Sequence, residues 1–258
     1  MNTKQALAMR VVGVITTGML IVPGAAFASN GKSEDIGAKG KKAAFCLQLD
    51  QLETTIIDRM EQKEGKMSQQ RLNREDTLHR RREANDAKLL ERRNTRDEHF
   101  DTLLEKLEAK ATTDAEKKAI VTFTASVQTA MKLRREAVDK ALSDYREALD
   151  KAVTDRKTSV DAVLKKYKTS LDAALLKAKA DCAANIDAKV VRENYRAAVK
   201  VAKETLEKDR RAIPTVGEAL KPAIAARKAA LDKARIDFKT ALEKAKADLR
   251  VVFGADDV

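Results

Sequence analysis

Residues 137–146 read AVDKALSDYR, 148–157 read ALDKAVTDRK, 159–168 read SVDAVLKKYK and 170–179 read SLDAALLKAK, one phrase restarted every eleven residues. The phrase returns at 230–239 as ALDKARIDFK and at 241–250 as ALEKAKADLR. Eleven residues make three helical turns at about 3.67 residues per turn, so Val138, Leu149, Val160 and Leu171 fall on one line along a helix. That line is a seam for a second helix, and the reading that follows is all-α.

Outward from this stretch the helical signal is continuous. No Gly or Pro occurs between Lys66 and Ile213, a run far longer than the common helix of about twelve residues. Upstream, Phe45, Ile56, Met67, Leu78, Leu89 and Phe100 keep the same spacing, which predicts a first helix over about 44–110 with Gly65 as its one weak point. Between Met67 and Phe100 the positions beside this line are often arginine: Arg71, Arg74, Arg82, Arg93 and Arg96. The apolar seam is narrow there, and this section should pack least tightly.

Thr113 followed by Glu116 is a capping box and places a turn near 111–113, opening a second helix over about 113–213. Folding the two helices back about residue 113 sets Cys46 level with residue 180, and the only other cysteine is Cys182. A disulfide stapling the open end of the hairpin is therefore expected. Pro214 stops the second helix, Thr215 with Glu218 forms another capping box, and a returning helix is expected within 214–258, with Pro222 as a point of delay or kinking. In this reading the reversal falls at residue 215 and brings Leu249 back level with Cys182; a bend at 183–185 would shorten the bundle. The predicted fold is three long helices in elongated antiparallel hairpins.

The N-terminus carries a different signal. Lys4 and Arg10 precede the apolar run 11–22, and Ala26-Phe27-Ala28 supplies small residues before Ser29. Those are the three regions of a secretory signal peptide, 1–28, cleaved between Ala28 and Ser29. The apolar core is shorter than the ~20 residues of a spanning helix. Residues 29–43 are polar, with glycines, and read as a leader.

Of the 258 residues, 36% are charged and 3% aromatic, and there is no Trp, which suits long paired helices better than a thick globular core. The net charge of +12 falls to +10 once Lys4 and Arg10 leave with the signal peptide, and the excess is spread along the chain. His79 and His99, the only histidines, sit twenty residues apart on one helix and point to roughly opposite sides. No metal, cofactor or catalytic residue set is indicated. The carboxylates stand among Arg and Lys neighbours, as ion-paired helix faces do. The sharpest basic clusters are Arg80-Arg81-Arg82 and Arg92-Arg93, candidates for contact with a polyanion; Glu75, Asp76, Glu83, Asp86 and Glu91 interleave with them and should cancel much of their field.

These features point to an exported non-enzymatic rod of a bacterial cell envelope, periplasmic or at the cell surface, acting as scaffold, spacer or protein-docking element on other envelope proteins or on itself. A second expectation is an extracytoplasmic holdase chaperone for unfolded exported proteins. A weaker third is charge-driven binding of an anionic polymer or membrane surface; nucleic acid is not favoured, because no aromatics are placed for base stacking.

Overall fold

The computed structural model describes residues 44–254, so the signal peptide, its cleavage site at Ala26, Ala28 and Ser29, and the whole leader lie outside the described residues. A short helical turn at 44–47 leads into α1 (Leu49–Lys110), followed by α2 (Asp114–Ala183), α3 (Ala188–Ala212) and α4 (Val216–Phe253). The fold is all-α, with three long arms, 49–110, 114–183 and 188–253, packed antiparallel. At 70 residues, α2 is about 105 Å long.

The first reversal falls where its capping box lies. Thr113 Oγ1 accepts from the Glu116 N–H, and the Glu116 carboxylate accepts from the Thr112 and Thr113 N–H groups. These backbone donors hold the Glu116 carboxyl below its usual range.

The second reversal is not at Pro214 but at 184–187, and α2 ends at Ala183 instead of running to 213. Asn185 takes the left-handed conformation at φ 57°. Its N–H donates to Cys182 O and the Ile186 N–H donates to Asp181 O. Those two bonds are the Schellman closure, with asparagine in the place glycine usually holds. Asp187 then caps α3 through the Lys189 N–H.

Pro214 interrupts the third arm without turning it around. Ile213 and Thr215 are both extended, at ψ 120° and 153°, so α4 resumes along α2 in the direction α3 was already taking. Arg156 on α2 donates to the carbonyls of Ile213 and Pro214, satisfying acceptors that the helix end leaves open. Pro222 lies inside α4 and neither delays nor ends it.

The consequence is a corrected register for the third arm. Leu249, expected beside Cys182, packs instead at the opposite end of the rod with Leu107, Ile120, Phe123, Val127 and Ala245. Arg134 over Phe238 and Arg227 over Tyr145 hold α4 to the first half of α2. The second half carries α3, through Tyr167, Leu171, Ala202 and Leu206.

The deepest line of α2 is also displaced from the expected one. Ala130, Ala141 and Ala152, again eleven apart, are buried. Of the line read from the sequence, only Leu171 is; Val138, Leu149 and Val160 are half-buried. Alanine lets two helix backbones approach closely, so the small residues take the centre and the branched ones flank it. On α4, Ala234 and Ala245, also eleven apart, are buried as well. Small residues are therefore buried on both helices.

Candidate functional site

The Cys46–Cys182 disulfide joins the start of the first arm to the last turn of α2, with Cα atoms 5.9 Å apart. Phe45 and Tyr195, ring centroids 6.2 Å apart, and the buried Leu49, Leu175, Ala178 and Val191 surround that end of the rod. Three arms meet there and again at the Leu107 end; between Leu49 and Leu107 no α1 side chain is fully buried.

What spans that gap is a ladder of ions. Arg71, Arg82 and Arg93 of α1 bond Asp161, Asp150 and Asp139 of α2 as two-pronged forks, with shorter contacts of 2.5, 2.6 and 2.6 Å. The reverse pairs, Arg146 with Asp86 and Arg135 with Asp97, run beside them. Lys179 ends the series on Asp50 and Glu53 at 2.8 and 2.7 Å. The Asp of each rung on α2 is the third residue of the repeated phrase, and its partner on α1 recurs at the same eleven-residue interval.

The pairs also reveal how they reach. The disulfide sets Cys46 level with Cys182, and that register puts Arg93 level with residue 135, short of Asp139. A helical side chain leans over the turn N-terminal to its own Cα. In an antiparallel pair both side chains do so in opposite directions, which gives the offset its sense. The forks hold Asp86 well below the usual carboxylate range, chiefly through the Arg146 hydrogen bond, and raise Arg146 in return.

The ladder sorts the arginines read from the sequence as a polyanion contact. Arg82 and Arg93 are taken up by Asp150 and Asp139, and Arg80 pairs with Asp76 one turn away on its own helix. Arg81 and Arg92 are exposed and remain. The expected cancellation by neighbouring acids is seen at Arg80, through Asp76, and is uneven around the helix. On α1, Arg81 and Arg92 share one line with Arg59, flanked by the line of Lys63, Arg74 and Arg96 and by that of Lys66, Lys88 and His99. No acid falls on these three lines. Glu64, Glu75, Asp86, Asp97 and Glu108 form their own line on another side, so charges that alternate in sequence are separated in space.

His79 and His99 are both exposed, and no group of three or more metal-capable side chains forms among the described residues. Two shallow grooves between α1 and α2 are lined by ladder residues, including Asp86, Asp97 and Asp139, whose carboxylates are already bound to guanidinium groups. No described helix is long and apolar enough to cross a membrane, and the disulfide is consistent with an oxidising, extracytoplasmic location.

No protein family, no curated protein and no solved structure matches this chain.

Proposed function

We propose that the protein is an exported, non-enzymatic rod that acts as a scaffold, spacer or docking element in a bacterial cell envelope, after removal of a signal peptide at Ala28. The observation that carries this reading is the stapled three-arm rod itself. Its length of about 105 Å is set by α2, and its ends are closed by a disulfide cluster and an apolar cluster. A long rigid body with charged flanks suits the holding of a distance or the presentation of a surface. The signal-like N-terminus and the disulfide support an oxidising compartment.

Cross-linking in intact cells, followed by denaturing purification and identification of the attached proteins, tests the proposal. One or two stoichiometric envelope proteins, or chiefly self-cross-links, are expected. A broad population of unrelated exported proteins would overturn the scaffold and point to a holdase.

A further inference from the structure

Three arginines from three helices converge at one level of the rod. Asp97 of α1 pairs with Arg135 of α2, which sets their chain neighbours Arg96 and Arg134 close together. Arg134 lies 4.9 Å over the Phe238 ring of α4, and Arg235 stands one turn before Phe238. None of the three has an ion-pair partner among the described residues. Burial lowers the affinity of Arg134 for its proton, and the neighbouring cations Arg96 and Arg235 lower it further. Elsewhere the half-buried arginines between α1 and α2 are matched one to one with aspartates, so this unmatched group stands apart.

The cluster is not isolated along the rod. Arg92 lies one turn before Arg96, on the acid-free side of α1, and Lys228 lies two turns before Arg235 on α4. Both are exposed.

We propose that the arginine cluster formed by Arg134 of α2 with the exposed Arg96 of α1 and Arg235 of α4 binds a linear phosphate polymer that carries no bases. A ligand bringing several closely spaced negative charges would relieve the repulsion among the three guanidiniums and reach the exposed Arg92 and Lys228 beyond them. Nucleic acid is a poorer fit. Phe238 and Tyr145 already carry the guanidiniums of Arg134 and Arg227 on one face each, which leaves less ring surface for a base to stack on. A bilayer surface is a poorer fit too, because Arg134 sits between helices where a flat surface does not reach.

The test uses fluorescently labelled linear polyphosphate with the purified protein, by anisotropy over a range of salt. The proposal predicts saturable binding. Replacing the two exposed arginines together, Arg96→Gln with Arg235→Gln, should weaken it about tenfold or more at low salt and flatten the salt slope by about 1.4–1.8 units. A control removing the same charge from α3, Lys189→Gln with Lys208→Gln, should change affinity less than about threefold. Circular dichroism of both doubles should match the parent, since all four side chains are exposed. Absence of binding, equal weakening by the two doubles, tighter binding of single-stranded DNA, or binding only to anionic vesicles would each overturn the proposal.

Discussion

α2 meets its two neighbours by different chemistry on the same eleven-residue period. Toward α4 it offers Ala130, Ala141 and Ala152 between larger apolar side chains, and the contact is close and dry. Toward α1 it offers Asp139, Asp150 and Asp161, and the contact is a set of long guanidinium forks, with their arginines a fifth to a third exposed. A repeat length therefore decides which positions face a partner, while the residue placed there decides how near the partner comes. The two seams should also differ in strength. Exposed ion pairs contribute about 0.2–1 kcal/mol each, whereas a buried leucine loses about 2–5 kcal/mol on truncation to alanine.

The largest expected effect breaks the α1 side at its staple. Reducing the disulfide, or Cys182→Ser, removes a crosslink 136 residues apart in sequence, worth about 5 kcal/mol on the chain-entropy account. Chemical denaturation monitored by pulsed proteolysis should then show α1 cut before α2 or α4. Loss of all arms together would mean that the seams are not separable.

Next comes the apolar side. Leu249→Ala, at a side chain 1% exposed, should cost about 2–5 kcal/mol in urea unfolding. Arg82→Ala, on the ladder, should cost about 1 kcal/mol, and most of that cost should vanish in the Asp150→Ala background. Equal costs for Leu249→Ala and Arg82→Ala would erase the contrast.

Acid should sharpen it. The Asp86 carboxyl has a lower pKa in the folded protein than in the unfolded chain, so the unfolded chain binds the proton more tightly there. Its contribution is fully present above about pH 4 and is lost as pH falls through the lower, folded value. The alanine seam has nothing to titrate. Proteolysis at pH 3 should therefore release α1 before α4, and release of α4 first would contradict this assignment.

The smallest effect concerns Gly65, inside α1, where an added Cβ would meet nothing within 4 Å. Gly65→Ala should stabilise by about 0.5–1 kcal/mol in thermal melts, because it restricts only the unfolded chain and improves helix propensity. Destabilisation would mean that the open side of α1 is occupied.

Much of this architecture is legible in the residues. The eleven-residue phrase, the two Thr–Glu capping boxes and the two cysteines suffice for the helices, the first turn and the disulfide. The second reversal was hidden because its breaker is Asn185, not Gly or Pro, and the informative signal was Asn185 followed by the helix-capping Asp187. Pro214 misled for the opposite reason: a proline ends a helix without fixing the direction of the next one. The arginines beside the α1 seam read as poor packing because their partners lie 46–90 positions away, and only the shared period connects them. The Arg96, Arg134 and Arg235 group was beyond reach, since it depends on the register of α4 that the misplaced reversal had reversed.

The two-seam account is tested most directly by hydrogen–deuterium exchange of the reduced protein, compared at low salt and at 1 M salt. Salt screens the partly exposed forks and leaves apolar burial intact or stronger. The account predicts faster exchange across residues 60–104 of α1 at high salt, with α4 and the facing half of α2 unchanged or slower. Salt-independent exchange in α1, or acceleration in α4 equal to that in α1, would contradict it.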